Sequence, residues 1–519
     1  MGDLLDTYPA HGAWDEMFER PGTPRPTYHA LFETLQSLSA DDFLERCAVR
    51  DRALRDQGIT FSLSGVERPF PLDLVPRVLS ADEWATVEAG VAQRVVALER
   101  FLADVYGAGE IIADGVVPRS LVTSSAHFHR AAAGIEPPNH VRVHVAGIDL
   151  VRDTDGRFRV LEDNVRTPSG VSYVVENRAT MVRVFPELFT SHRVQPVDDY
   201  PARLLDALWA CAPAGIDDPT VVVLTPGVFN AAYFEHTFLA RQMGVELVEG
   251  RDLACRDGVV FMRTTEGEHR VDVVYRRVDD DFLDPLHFRP DSLIGCPGIL
   301  NAARAGRVTI ANAVGNGVAD DKLTYTYVPD MVRYYLGEEP VLPNVDTYRL
   351  EDNDQRAWAL DHMDQLVFKP VDGSGGYGLV MGPEASDAEL ARLRHAVEAS
   401  PRSWIAQPVI ALSTAPTHVD GTLQPRHIDL RPFAVNDGSR VWVAPGGLTR
   451  VALPAGSLVV NSSQGGGSKD TWVIADSRAG PPAGRERRPA TPGGAPSRAP
   501  DPGPATETAQ QQQQQQQQC

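Results

Sequence analysis

Cysteine is scarce in this chain of 519 residues. There are five, at 47, 211, 255, 296 and 519, and no two form a C-x-x-C pair. That is poor material for a zinc site or a disulfide framework, and it fits a reducing compartment. Long apolar runs are also missing. Nothing approaches 18 consecutive apolar residues, so no transmembrane helix is expected. The opening stretch, MGDLLDTYPAHGAWDE, lacks a basic-then-apolar leader, so a secretory signal is not expected either. Positive charge is in deficit, with 49 Lys and Arg against 70 Asp and Glu and a formal net charge of -21. Such a surface repels nucleic acid and anionic membranes, although a local basic cleft can still hold an anionic nucleotide. We expect a soluble cytoplasmic protein with small-molecule partners. Oligomeric state leaves no sequence signal. Hydrolase signatures are absent too: there is no G-x-S-x-G elbow and no H-E-x-x-H. His140 and His144 are four apart, but the residues between them read as strand.

What is present is a globular composition, 43% hydrophobic and 23% charged. At about 150 residues per domain, two to four domains are expected. The spacing of Trp84, Val87, Val91, Val95, Leu98, Phe101 and Leu102 predicts a helix over 81–106, with Asp82 and Glu83 favouring its first turn. Segments 141–150 and 158–162 read as two strands of an antiparallel hairpin, turning at 153–156. A strand at 220–224, a helix over 231–243 and a strand at 245–248 make a βαβ-like stretch, extended by a strand at 271–275. Beyond it the pattern gives a helix over 322–335 and strands at 365–369, 403–409 and 426–433. From Ser477 onward the sequence turns to Pro, Gly, Ala and Arg and then to a glutamine run, which predicts disorder over 477–519.

The sharpest motif is LVFKPVDGSGGYGLVM, in which Lys369 precedes Gly373, Ser374, Gly375, Gly376 and Gly378. Its G-x-G-x-x-G is followed by a returning strand rather than a helix, so it departs from a dinucleotide fingerprint. A glycine hairpin can fold over phosphates, its N–H groups unobstructed by Cβ atoms. Lys369 supplies a positive charge there, although a flexible hairpin with a surface lysine would look the same.

A second set is rich in hard oxygen donors. Glu162 and Asn164 are two apart on a strand and share a face, and the paired strand can bring Asp149 beside them. Two carboxylates and an amide suit Mg²⁺, with phosphate and water completing the shell. A charged strand edge is the plainer alternative.

The stretch NSSQGGGSKDTW resembles a P-loop at first sight, but Ser468 separates Gly467 from Lys469 and breaks the pattern. Arg276, Arg431 and Arg450 could each grip a phosphate or carboxylate. Each could equally form a structural ion pair. His427, Asp429 and Arg431 alternate and so share a face.

Taken together, the segments HVAGIDLVRD, VLEDNVRTPSGVSYV, VVVLTPGVFNAAYFEH, GVADDK, VFKPVDGSGGYG, HIDLRPF and NSSQGGGSKDTW resemble the circularly permuted ATP-grasp superfamily, in particular its bacterial type 2 proteins. Glutathionylspermidine synthetase-like ligases are more distant relatives. The likeness covers about 69–472. It implies an α/β fold with an N-terminal, mostly helical region (1–140), the metal-binding strands of a permuted core (141–204), a small open α/β domain (205–315) and a lid and nucleotide-binding region (316–476). It implies Lys322 and Lys369 as the two ATP lysines, 373–378 as the lid over the triphosphate, and Gln407 at the adenine hinge. Asp149, Glu162 and Asn164 are the implied Mg²⁺ ligands, and Arg431 and Arg450 the implied phosphate or intermediate contacts. The metal set precedes the glycine loop, as the permutation requires. There is one departure. The synthetase relatives carry an arginine two residues before the first metal aspartate, where this chain has Gly147. Arg166 and Arg276 are candidates to replace it.

The implied activity is an ATP- and Mg²⁺-dependent carboxylate–amine ligase, forming a C–N bond through an acyl phosphate on an amino-acid or peptide-like substrate. A non-catalytic ATP-binding regulatory module and a phosphotransferase using the same site are the competing readings.

Overall fold

The computed structural model describes residues 4–5, 8–9, 13–63, 66–373, 378–460, 466–475 and 504–516. Its backbone is organised by a six-stranded sheet in the order Leu72–Leu79, Gly467–Val473, Val441–Val451, Arg431–Asn436, Val145–Arg152, Phe158–Asn164. All neighbours are antiparallel except Leu72–Leu79 with Gly467–Val473. The expected hairpin is its edge pair. The region expected to be mostly helical, 1–140, also supplies the strand Leu72–Leu79.

Side-chain alternation divides the sheet. Ile148, Leu150, Val160, Ala434 and Val443 pack with Val87, Val91, Val95 and Leu98 of the helix Ala81–Val105. That helix starts on a reciprocal cap between Ser80 and Glu83, which satisfies amide donors otherwise left open at its first turn. The opposite face sets Val145, Phe433, Val435 and Leu448 against the helix Val171–Val184. Farther along this second face the strands carry charge instead of hydrocarbon, and the site forms there.

Two smaller sheets flank the central one. The βαβ stretch is a four-stranded parallel sheet, ordered Thr309–Ala311, Val273–Arg276, Val221–Leu224, Glu246–Val248. Its continuous apolar strands fit burial on both faces. The other is antiparallel, ordered Tyr348–Arg349, Trp404–Pro408, Leu366–Pro370, Val380–Met381. It has its own core of Leu350, Leu360, Leu366, Phe368, Leu393 and Val397 against the helices Asn353–Asp361 and Asp387–Ala399. The strand after the glycine loop does return, pairing Val380 with Phe368.

The helix expected over 322–335 is interrupted. Lys322–Tyr325 and Val328–Leu336 are separate, the second beginning with Pro329 in its first turn. Proline suits a first turn because it has no N–H to donate, and it disfavours a continuous helix before it. Of the stretch expected to be disordered, only 504–516 is described. It is a helix, Pro504–Gln516, and the Gln513 amide contacts Leu293 N and Asp291 O. No helix among the described residues is long and apolar enough to cross a membrane.

Candidate active site

Strand register builds the polar end of the site. Asp149 pairs directly with Glu162 across the edge hairpin. On its other side, the register that pairs Gly147 with Phe433 and bridges Leu150 to Leu430 sets Asp149 opposite Arg431. Arg450 faces Asp429 across the next pair, beside the Ile428–Val451 bridge. Because 429 and 431 alternate with apolar residues, both side chains reach the charged face.

The contacts follow. Arg431 is bidentate on Asp149, Nε to Oδ1 at 2.5 Å and Nη2 to Oδ2 at 2.8 Å. Arg450 Nη2 donates to Asp149 Oδ2 at 2.7 Å and also grips Asp429. Asp149 and Asp429 are each only 1% exposed. Burial by itself would raise the Asp149 carboxyl. Arg431 and then Arg450 reverse this and hold it well below the usual carboxylate range. Asp429 shares Arg450 and lies near Asp149, and burial leaves its carboxyl above the usual range.

Opposite this row stand two lysines. Lys322 is 3.3 Å from Glu162 and donates to the carbonyl of Gly373 at 2.5 Å, tying the base of the glycine loop to the central sheet. Lys369 opens into the same cleft. Burial, aided by Lys322 and opposed by Glu162 and Asp149, pushes its ammonium down to about 8. The three acids Asp149, Glu162 and Asp429 thus meet four cations, Arg431, Arg450, Lys322 and Lys369.

Behind the polar end runs an apolar slot between the small antiparallel sheet and the central sheet. The whole cleft spans about 990 Å³, open solvent included, and is lined by Val151, Leu161, Val367, Met381, Ile410 and Leu458 among others. Gln407 lies at its wall, 2% exposed, with its amide donating to Thr347 Oγ1 at 2.9 Å. A slot of this kind accepts a flat heterocycle, and its far end accepts anionic groups.

Asp149 and Glu162 are direct cross-strand partners, and two carboxylates in that relation suit a bridging cation. Among the described residues Asp149 Oδ1 accepts a hydrogen bond from Arg431, which leaves it a lone pair. Asn164 lies on the same face, two residues from Glu162, and its Nδ2 is shielded from solvent with no partner among the described residues. Asp163 faces the other way, onto Arg94. No group of three or more His, Cys, Asp and Glu among the described residues is placed to hold a metal. A cation here would take phosphate or water for the rest of its shell.

The other expected site residues are dispersed. Gly373 lines the cleft. Gly378 is in the left-handed region at φ +74°. Ser374, Gly375 and Gly376 lie outside the described residues. Arg276 is fully buried, donating to the carbonyls of Asn312, Val278 and Ala313 and pairing with Asp280 at 2.8 Å. It joins the parallel sheet to its neighbouring loops, away from the cleft lining. Arg276→Ala should therefore destabilise the fold by about 3–5 kcal/mol in denaturant unfolding, because it leaves Asp280 buried without its partner. Arg166 stands beyond Asn164, 3.4 Å from Asp320 and 3.6 Å from Asp279. Lys469, from the broken P-loop pattern, is buried in a strand and bound to Asp73, Val75 O and Pro416 O. All three of its protons are used.

Gly147 has a local reason. A Cβ there would stand 3.1 Å from Arg431 Cδ and 3.1 Å from Pro168 Cβ. The space over residue 147 belongs to Arg431, so a large side chain at 147 would displace it. Two further groups line the site: Asp429, which the sequence places on one face with Arg431 but gives no role, and the apolar residues at 409–412 and 458–460, which carry no motif. The alternation in HIDLR was the available signal for Asp429.

An uncharacterized protein of Mycobacterium tuberculosis is 65% identical over 89% of this chain and 84% of its own length. An uncharacterized protein of Synechocystis is 52% identical over 91% of this chain and 98% of its own. A protein of Frankia casuarinae, provisionally named a glutamate–cysteine ligase, is 48% identical over 91% of this chain, which spans about half (54%) of that relative. In fold, a solved glutathione synthetase-like effector of Globodera pallida, in its apo form, matches with a TM-score of 0.56 at 12% identity, covering 84% of this chain and 98% of that one. The family described as circularly permuted ATP-grasp type 2 matches residues 76–452. The chain therefore belongs to the circularly permuted ATP-grasp type 2 family.

Proposed function

We propose that the cleft binds ATP with Mg²⁺ and that the chain is a carboxylate–amine ligase. The observation that carries this reading is the row Glu162, Asp149, Arg431, Arg450 facing Lys322 and Lys369 at one end of an apolar slot. The adenine lies in the slot beside Gln407, and the triphosphate reaches the two lysines. Asp149 and Glu162, with Asn164, hold the metal, which when bound neutralises phosphate charge. Lys322 links Glu162 to Gly373, so it couples the loop's position to the phosphate end. Arg431 and Arg450 are pre-set by their carboxylates and need no reorganisation to meet negative charge developing on the transferred phosphoryl group. The provisional ligase name of the Frankia relative is in keeping with this reading. That name belongs to a protein about twice as long, so which acid and which amine are joined is a separate matter.

The test is ADP release from ATP in the presence of candidate acids and amines, with hydroxylamine added to trap an acyl phosphate as a hydroxamate. The reading expects ADP only when an acid is present, a hydroxamate with hydroxylamine, and an amide when an amine replaces it. ATP binding with no ADP under any pair would count for a regulatory module. A stable phosphorylated product without amide would count for a phosphotransferase.

A further inference from the structure

Away from the cleft, the fold brings together two thiols that stand 41 residues apart in the chain, with their sulfurs 3.5 Å from each other. Cys255 lies on Leu253–Arg256, an edge strand of a three-stranded antiparallel sheet, and Cys296 lies in the turn before the helix Ile299–Arg304. The turn is fixed. Cys296 N donates to Leu283 O at 2.9 Å, and a Cβ on Gly295 would stand 2.0 Å from Phe282 O. Gly298, left-handed at φ +87°, closes the turn against the Cys255 side chain, where a Cβ would come within 3.3 Å of Cys255 Cβ. Neither cysteine lines the cleft.

The two thiols are unequal. Cys255 is partly exposed and Cys296 is fully buried. The hydrogen bond from Cys296 holds the Cys255 thiol below its usual range, against the opposing effect of burial. That same hydrogen bond, and then burial, hold the Cys296 thiol well above its usual range. An accessible sulfur with thiolate character beside a second sulfur is the arrangement that oxidants select. Cys47 and Cys211 differ on both counts. Both are buried, and burial raises both thiols, that of Cys211 to about 12.

We infer that Cys255 and Cys296 form a reversible dithiol–disulfide site, in which Cys255 meets the oxidant, Cys296 resolves it, and the disulfide braces the chain between them. A disulfide needs its sulfurs at about 2.05 Å, so they close by about 1.5 Å. The edge strand carrying Cys255 supplies that movement. With a peroxide as oxidant, the Cys255 thiolate attacks one oxygen and the O–O bond breaks. Cys255 becomes a sulfenic acid, and the departing hydroxide takes the thiol proton as water. The Cys296 sulfur then attacks the Cys255 sulfur and the S–O bond breaks. The second hydroxide leaves as water with the Cys296 proton. Two thiols are thereby oxidised to one disulfide and one peroxide is reduced to two waters. A dithiol reverses the step by supplying two electrons and two protons. In a reducing compartment such a bond is transient rather than structural. While it lasts, the covalent loop holds the strands Val259–Thr264, Gly267–Val271 and Val273–Arg276, and it restricts the unfolded chain more than the folded one.

The test treats the full chain, reduced and then freed of reductant, with hydrogen peroxide. Samples are denatured, alkylated, digested and read by mass spectrometry, and parallel samples are melted. The expected main product is the Cys255 peptide joined to the Cys296 peptide, lighter than their sum by two hydrogen atoms, with Cys47 and Cys211 still alkylated. The melting temperature should rise by about 5 °C or more, and dithiothreitol should reverse both changes. Cys296→Ser should accumulate a sulfenic acid at Cys255, trapped by dimedone, because the resolving sulfur is gone. Cys255→Ser, the milder change at a partly exposed position, should show neither the cross-link nor the peroxide-dependent rise in melting. Wild-type Cys255 carried on to sulfinic acid without a cross-link would overturn the site, and so would a pair that stays reduced. A cross-link that leaves the melting temperature unchanged, or a rise that persists in Cys255→Ser, would overturn the brace.

Discussion

Asp149→Asn should reduce ligase turnover by about a thousandfold and destabilise the fold by about 3–5 kcal/mol. The two losses have one cause. Asp149 is the carboxylate to which both Arg431 and Arg450 are anchored, and Glu162 is its cross-strand neighbour. An asparagine keeps the size and one acceptor oxygen but removes the charge, so Arg450 is left with Asp429 and Arg431 with the more distant Glu162, 3.9 Å away. Denaturant unfolding of wild type and variant gives the stability term, and turnover at saturating ATP gives the other. The sign with pH is fixed by the depressed carboxyl of Asp149. A folded-state value below the unfolded one contributes stability that is complete above the ordinary carboxylate range, roughly pH 4. That contribution is lost as pH falls toward the folded value. Wild type should therefore lose stability more steeply than Asp149→Asn below about pH 4, and the two should run parallel above it.

Lys369→Ala should raise the Kd for ATP by about 100-fold, or roughly 2.7 kcal/mol. Its ammonium stands at the charged end of the cleft, with Lys322 as the neighbouring cation. The same residue gives the affinity a pH dependence. Burial has already pushed its ammonium down to about 8, and a triphosphate favours the protonated form. Affinity should hold below pH 8 and fall as pH rises above it, by at most about tenfold per unit. Lys369→Arg, charged throughout, should remove that slope while keeping most of the affinity. Calorimetric titration between pH 6.5 and 9.5 reads both effects.

These expectations draw unequally on sequence and structure. The edge hairpin was legible because a strand period of two puts Glu162 and Asn164 on one face and Asp163 on the other, and the turn at 153–156 fixes which strand lies beside them. The returning strand at Val380 was legible from the apolar residues after Gly378. Cross-sheet partners were not. Asp149 and Arg431 are 282 residues apart, and Asp149 and Arg450 are 301 apart. Only long-range strand order places them in a row. Arg276 and Arg431 look alike locally, each at the end of an apolar strand or within one. One is consumed by backbone carbonyls and Asp280, and the other is bidentate on Asp149, which lines the cleft, a distinction set by tertiary contacts. Lys469 shows the same limit from the opposite side, since its glycine-rich approach suggests phosphate and its burial beside Asp73 supplies a counter-charge instead.

The most direct test of the ATP assignment is a crystal structure of the chain with Mg²⁺ and an ATP analogue whose β–γ bridge is nitrogen. The expected result is the purine in the slot between Leu161 and Met381 near Gln407, phosphates within hydrogen-bond reach of Lys322 and Lys369, and the cation bound by Asp149 and Glu162. A nucleotide seated elsewhere, or one in the slot with its cation touching neither carboxylate, would contradict it.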